Sequence, residues 1–589
     1  MTDRLPQLLP AARNLVLLGR TAVRHAQDDP MLLAVQTLRR LPAPIRSRVA
    51  SALLSGGSAA SVRHALAHYL ADHPADARSS LRRVNPRSGF ARRVAAEINI
   101  ALGGSAPIDA APLLLARSAW QRGEVSHAAA AAATSPRRGA QRYAAVLASE
   151  RDLLTPGFRL RIPATRSTEG VSGSELSGIR PFHLLINSLP WTQSGYSLRS
   201  HAILRAQAAA GMAVEAMTRI GYPVVVGLPQ ARDVDVVDGI TYRRLVPRRL
   251  AATPTGRLEQ TVDAVVGRAQ EFGATVIHTT THYPNALTAQ AVAGALGVPW
   301  VYEVRGQLEK SWVARRPPED QERAATSERY VMARAREAEL SAAADHVVTI
   351  SRALRDDLIA VGVPAERISL VPNAVDASLL DRSANGTTPS RARARLGLPE
   401  DGFWVGTVSS IVDYEGLDVL VRAVALLRQE GLPVRCAIVG DGVARPGLGR
   451  LAERLGIEDL VMLPGRVPRD EAIAWHQALD AFVVPRLDTE VCRTVTPLKP
   501  IEAMALGRPV VASDLPALAE VVADPATGLV AAPGDPVALA AALHRLAADP
   551  DLVARLGGNG RRFARTRTWE AQAETYRTIY ERLGVPRGA

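Results

Sequence analysis

The order of apolar and polar positions changes character twice along the chain. Over residues 1–165 the apolar residues recur at helical spacing, as in Leu15-Val16-Leu17-Leu18 and Met31-Leu32-Leu33-Ala34-Val35, with Pro and Gly between the runs. This predicts an all-α N-terminal domain of several short helices. The stretch from Ala119-Trp120 through Gly123 to Ala128 has the aromatic–Gly–Ala spacing of a tetratricopeptide-like helix pair. It is a single match, so degenerate helical repeats and an irregular helical cap both fit. Residues 166–180 are rich in Ser and Gly and predict a linker. From 181 to about 385, short apolar runs alternate with helical patterns. Strands are expected at 183–187, 214–217, 224–227, 274–278, 300–304, 346–350 and 368–371, with a hairpin over 234–246 turning at Asp238-Gly239. Helices are expected at 202–210, 260–272 and 286–296. The alternation resumes over 386–570, with strands at 403–408, 434–439, 461–463, 481–484 and 509–512. The fold class is therefore α/β: two doubly wound parallel sheets facing a cleft, behind a helical domain.

Composition narrows the classes. The chain has 589 residues, 47% hydrophobic and 22% charged, which excludes wholesale disorder. Two cysteines, Cys436 and Cys492, exclude a disulfide framework and a Cys-rich zinc site, and point to a reducing cytoplasm. No apolar uncharged run is long enough to span a bilayer, and the N-terminus lacks the layout of a signal peptide. Charge is uneven. Residues 1–166 carry 24 Arg and 10 acidic residues, net +14 against +13 for the whole chain, so the remaining 423 residues sum to −1. The basic segment predicts docking on an anionic membrane face or a protein partner, although frequent Arg usage alone would also produce it. No nucleic-acid recognition motif accompanies it.

The chemistry concentrates between residues 485 and 514. Arg486 follows the strand at 481–484, which places a guanidinium at the cleft. Thr496 suits a helix N-cap, Pro497 the first helical position and Gly507 the residue past the end. Lys499 adds a charge at that helix start, and the chain has only one other lysine, Lys310. In a chain that otherwise uses Arg, a Lys suggests a site needing a compact ammonium. Arg486, Lys499 and the helix amides form an anion site fit for a diphosphate. Glu502, one turn on, can accept hydrogen bonds from a ribose diol or simply complement the helix dipole.

Taken together, residues 181–585 resemble a GT-B glycosyltransferase of the family 4 type, retaining and metal-independent. The resemblance rests on Val405-Gly406, Val439-Gly440-Asp441-Gly442, Leu463-Pro464-Gly465-Arg466-Val467 and the run from Pro497 through Lys499, Glu502 and Gly507 to Asp514. In the first half it rests on Ser194-Gly195-Tyr196-Ser197, Val301-Tyr302-Glu303-Val304-Arg305-Gly306, Ile350-Ser351 and Val371-Pro372-Asn373. It implies two Rossmann-like domains, an acceptor domain at 181–385 and a donor domain at 386–570, with a C-terminal helix over 571–589 crossing back to the first.

The resemblance also implies roles. Glu502 holds the ribose, backbone at Arg466 and Val467 reads the base, and Arg486 and Lys499 grip the diphosphate. Gly195 and the stretch Thr494, Val495, Thr496 border the donor. His282 in His282-Tyr283-Pro284-Asn285 looks like the histidine beside donor sugar and acceptor, with His278 as fallback. Tyr196, Glu303 and Arg305 are candidate acceptor or sugar contacts, though Glu303 and Arg305 also fit a local ion pair. The family often has a Glu where Thr494 stands, and Glu490 is the nearest substitute. It often has an Arg and a Lys where Ser410 and Glu415 stand, which shifts the diphosphate onto Arg486 and Lys499. Asp233-Val234-Asp235 mimics a metal motif but precedes a hairpin away from the cleft. The implied activity is transfer of a sugar from a UDP- or GDP-sugar to a glycan or lipid-linked acceptor, without a metal cofactor. A non-catalytic nucleotide-sugar-binding relative and a sugar-nucleotide epimerase on the same scaffold are the alternatives.

Overall fold

The structure is a computed structural model. It describes residues 5–164, except 40, 42, 56–60, 87 and 108, and residues 178–585, except 385–386 and 524–525. Most of the expected linker at 166–180 lies outside the described residues.

The two sheets form where the apolar runs predict them. The first holds β1 (Pro181–Leu185), β2 (Glu215–Thr218), β3 (Val234–Val237), β4 (Ile240–Arg243), β5 (Val276–Thr280), β6 (Trp300–Val304), β7 (His346–Thr349) and β8 (Ile368–Leu370). Its order is β3-β4-β2-β1-β5-β6-β7-β8, parallel except for the β3–β4 hairpin. The second holds β9 (Phe403–Val408), β10 (Val434–Val439), β11 (Val461–Gly465), β12 (Ala481–Val484), β13 (Val510–Ser513) and β14 (Gly528–Ala531). Its order is β11-β10-β9-β12-β13-β14, parallel throughout. Strands β1, β5 and β6 are buried at every position, including their polar residues His183, His278 and Glu303, as strands covered by helices on both faces are. Chain order reverses beside β1 in one sheet and beside β9 in the other, and the crevices at such switch points take ligands.

The 224–227 run is not a strand. Val224–Val226 forms a 3-10 turn closed by left-handed Gly227, and Val224 packs beneath Leu17 of the first helix. Three valines carry the same local signal in either setting; the tertiary contact decides. The helical region also meets the second lobe, where an Arg450 Nη donates to the Asp72 carbonyl at 3.5 Å. The predicted helix pair is a hairpin, Pro112–Arg122 and Val125–Ala133, turning at Gly123 (φ 86°). The C-terminal helix Trp569–Arg582 crosses back to the first lobe and buries Trp569, Tyr576 and Tyr580 against Ile203, Val276 and Val348.

Two deviations set the helix that carries Lys499. It runs Lys499–Ala505, two residues later than the Thr496 cap predicts, because Thr496 bonds to the other lobe instead. The Gly557-Gly558-Asn559-Gly560 run, whose glycines on their own favour a helix end, lies inside the helix Pro550–Arg565. Its absent side chains let two backbones close: a Cβ on Gly557 would stand 2.3 Å from the Gly507 carbonyl oxygen. Gly557→Ala is expected to push the Lys499 helix aside and to cost about 1–3 kcal/mol, read as a lower urea midpoint at unchanged slope.

Burial also fixes the response to acid. His282, His346 and His476 are each pushed down to about 4 by burial. A histidine that resists protonation in the folded state contributes stability above the unfolded value of about 6.5, and that stability is lost as pH falls toward about 4. His476 stacks on Phe482 at 5.0 Å and neither ring nitrogen has a hydrogen-bond partner. Thermal midpoints should therefore fall between about pH 6.5 and 4.5, and fall less in His476→Phe; an equally steep fall in that variant would show that His476 does not contribute.

Candidate active site

The sheets bring their C-terminal strand ends to one cleft, about 500 Å³ in volume. From the second lobe come Thr407–Ser410 at the end of β9, Gly440-Asp441 after β10, Arg466-Val467 after β11 and Arg486 after β12. Gly440, at φ 142°, lies so close to the Ser409 carbonyl oxygen that a Cβ would stand 1.8 Å from it. The residue keeps the β10 loop tight against the β9 loop and so defines the cleft wall.

Arg486 reaches the cleft wall but does not arrive as a free cation. Its Nη2 and Nε donate to the two carboxylate oxygens of Glu415 at 2.7 and 3.1 Å, and Nη1 donates to the Val495 carbonyl at 2.8 Å. Burial alone would lower its pKa; Glu415 more than offsets this and raises it. Glu415, read from the sequence only as a departure, is thus the partner that holds the guanidinium fork in plane. Lys499 is likewise paired, its Nζ donating to Glu502 at 2.8 Å. Burial would raise the Glu502 carboxyl, but Lys499 and then His476 hold it below its ordinary value. Glu502 and His476 open on an adjoining cavity of about 240 Å³ that shares Lys499 and Arg469 with the cleft. Arg466 lines the cleft with no hydrogen-bond or ion-pair partner among the described residues.

Thr494, Val495 and Thr496 form the seam between the lobes. Ser351 donates to the Thr494 carbonyl, Thr494 Oγ1 bonds Gln307 at 3.0 Å, and Asn373 Nδ2 donates to the Thr496 carbonyl at 3.0 Å. Thr494 therefore spends its hydroxyl on the seam. Glu490 lies within 3.4 Å of Lys310, which also donates to Asp357 at 2.8 Å. Both lysines of the chain thus serve ion pairs around the junction.

On the first lobe Ser194 caps the helix Gly195–Ala209 in a reciprocal box with Ser197, which aims Gly195 and Tyr196 into the cleft. Gly306 faces them; a Cβ there would stand 2.8 Å from the Tyr196 hydroxyl. Three predicted residues of this lobe, Glu303, His278 and His282, do not reach the cleft. Glu303 has no exposed surface and takes Arg199 Nη2 and Arg305 Nη2 at 2.7 Å each. His278 is equally buried, sits 3.3 Å from Glu303 and bonds the Tyr580 hydroxyl at 2.7 Å. These are internal groups, as the ion-pair alternative holds for Glu303; of the set, Arg305 lines the cleft. Arg199, to which sequence reasoning assigned no role, bridges Glu303 to the Val371 carbonyl at 2.7 Å and Asn373 at 3.1 Å. Its signal was its place one turn into a capped helix that opens on a cleft loop. His282 lies after β5 and lines a second cavity beside the cleft, not the cleft itself.

Among the described residues the group with metal-ligand spacing is His68, His73 and Asp76, in the helical region rather than the cleft. Asp233 pairs with Arg13, and Asp235 with Arg244 at 3.0 Å and Trp191 at 2.8 Å, so the Asp-x-Asp motif is consumed by structural contacts.

Comparison with known proteins fits this arrangement. The family of glycosyl transferases group 1 matches residues 402–549, and the glycosyl transferase 4-like domain matches 194–374. D-inositol 3-phosphate glycosyltransferase of Streptomyces avermitilis is 34% identical over 255 residues, 41% of this chain and 53% of its own length. That of Thermomonospora curvata is 34% identical over 257 residues, covering 41% of this chain and 58% of its own. The chain thus spans about half the length of the curated relatives it matches. Among solved structures, sucrose-phosphate synthase from Thermosynechococcus elongatus superposes with TM-score 0.56 at 24% identity, over 69% of this chain and 99% of that one. Anabaena HepE in complex with UDP-glucose superposes with TM-score 0.51 at 20% identity, over the same shares. Residues 194–374 and 402–549 thus match glycosyltransferase domain families, one on each side of the cleft, and the two lobes share the GT-B architecture of the solved structures.

Proposed function

We propose that the protein is a retaining glycosyltransferase that moves a sugar from a UDP- or GDP-sugar to a hydroxyl of a glycan or lipid-linked acceptor, without a catalytic metal. The observation that carries this reading is the cationic wall of the second lobe: Arg486, Lys499 and Arg466 line one side of a cleft whose other side bears Tyr196 and Arg305. The complexes of Anabaena HepE with UDP and UDP-glucose support a nucleotide-sugar donor.

In this reading Glu502 takes the ribose hydroxyls, and Arg466-Val467 meets the base. The bond from the anomeric carbon to the diphosphate breaks as the acceptor oxygen bonds to that carbon. The acceptor proton passes to the departing phosphate on the same face, which preserves configuration. Guanidinium and ammonium groups stabilise the charge growing on the diphosphate, usually the largest catalytic effect available. Glu415 keeps Arg486 in one orientation, so the fork need not be ordered during reaction. The basic helical region extends the proposal to docking on an anionic membrane surface; Leu15 and Val16 on its first helix are exposed.

A panel of nucleoside diphosphates should single out UDP or GDP by a raised thermal midpoint, since a ligand at about 100 times its Kd stabilises by about 2.7 kcal/mol. A panel in which no nucleoside diphosphate shifts the midpoint would sink the donor assignment. Lys499→Ala should lower transfer by roughly 100-fold or more at unchanged fold stability. An epimer formed from donor alone would instead establish the isomerase alternative.

A further inference from the structure

A cavity of about 1040 Å³ lies between the first helix, Leu5–Asp28, and the first lobe. Its floor is the C-terminal ends of β1 and β2 and the segment after β5 that begins at His282. Its roof and one wall come from the first helix and the helix Arg138–Leu154, both outside the spans matched by the glycosyltransferase families. The loop after β1 continues from this floor to Ser194–Tyr196 on the cleft, so the two cavities lie side by side.

Charge is lopsided there. Arg20, Arg24, Arg142, Arg219, Arg249 and Arg257 line the cavity, against Glu150 as the carboxylate among the described lining residues. Arg142 is paired with Asp28, and Arg20 binds the Arg248 carbonyl. Among the described residues no carboxylate pairs with Arg24, Arg219, Arg249 or Arg257. Burial and then the nearby Arg24 lower the Arg257 pKa, which marks two like charges held together. Burial raises the Glu150 carboxyl, while Tyr283, Arg329 and Arg257 act to lower it. His282 Nδ1 is buried without a hydrogen-bond partner, and the ring is pushed down to about 4 by burial and by Arg219, so it is neutral at about pH 7. Arg257 Nε donates to the Ala251 carbonyl at 3.1 Å and Arg219 lies over the Tyr222 ring, which leaves the charges themselves without a counter-ion. Guanidiniums that line one cavity without carboxylate partners are stable together when an anion sits among them, and their planar forks match phosphate oxygens in pairs.

We propose that this chamber binds the acceptor, that the acceptor bears a phosphate group, and that the N-terminal helices supply part of its binding site through Arg24. The inference rests on the glycosyltransferase reading for the word acceptor; the binding preference itself does not. The volume exceeds what a single sugar phosphate fills, since sites of about 300–1,000 Å³ hold drug-sized ligands.

The test uses the full chain saturated with UDP and two matched probe pairs: glucose 1-phosphate against glucose, and geranyl phosphate against geraniol. Calorimetric titration is expected to show at least a tenfold preference for the phosphorylated member of one pair, and the pair that shows it tells a soluble from a lipid-linked source. Arg24→Gln and Arg257→Gln, each tested alone, should shrink that preference at least fivefold, and Arg24→Lys should restore most of it. No preference in either pair, or a preference that both Gln variants leave intact, overturns the proposal. Failure of the donor assignment would appear separately, in the nucleoside diphosphate panel, and would leave these probe preferences unchanged.

Discussion

A carboxylate without access to water organises the first lobe. Glu303 ends β6 inside the protein and receives two guanidiniums, Arg199 and Arg305, with His278 close by. Taking one charge away would strand the others, which is why breaking such a buried group costs several kcal/mol even where its net stabilisation is small. The three partners lead to three places. Arg305 lines the cleft, Arg199 binds the segment Val371–Asn373 where the chain leaves the first lobe, and His278 holds Tyr580 of the returning helix. Arg199 also stacks over Trp569 at the start of that helix, 5.4 Å from the ring centre. The cleft edge, the inter-lobe seam and the C-terminal helix are thereby tied to one ionised group.

The second lobe follows a similar rule with a different result. Its predicted cations reach the cleft, but Arg486 and Lys499 each carry a carboxylate partner. Attraction of an anion at long range then falls to charges without partners, Arg466 among the described residues, while the paired groups act at contact distance. Pairing fixes geometry: an Arg held by both oxygens of Glu415 presents its remaining edge in one plane. Glu415 thereby adds no positive charge to the wall but orients the one beside it.

Much of this was legible in the sequence, and the misses share a cause. A strand such as β12 was readable because parallel strands buried on both faces tend to be unbroken apolar runs. Arg486 was readable as a cleft residue because it directly follows such a strand. Its pairing was not, since Glu415 lies 71 residues earlier on another loop. Thr496 has every local mark of a helix cap, yet Asn373 claims its carbonyl from the other lobe. The valines at 224–226 look like a strand until the first helix lies across them. His278 and Glu303 stand near strand ends in the same sheet that leads to Arg305, and only depth in that sheet separates the enclosed pair from the residue that reaches the cleft.

The helical region was legible as helical and basic, but not as part of the body it covers. Its arginines are not a uniform coat. Arg93 and Arg117 meet Asp29 and Glu97 within the region, and Arg13 and Arg161 meet Asp233 and Asp263 of the first lobe. Asn14 donates to the carbonyls of Pro229 and Ala231 at 2.9 and 2.8 Å, which fixes the rotation of the first helix about its axis. That rotation decides which side chains face inward. Leu17 packs beneath the turn at Val224, and about two turns later Arg24 faces the cavity over β1, β2 and β5. The surplus positive charge of residues 1–166 is therefore partly spent on docking and partly delivered, by that docking, to a chamber beside the cleft where arginines outnumber carboxylates.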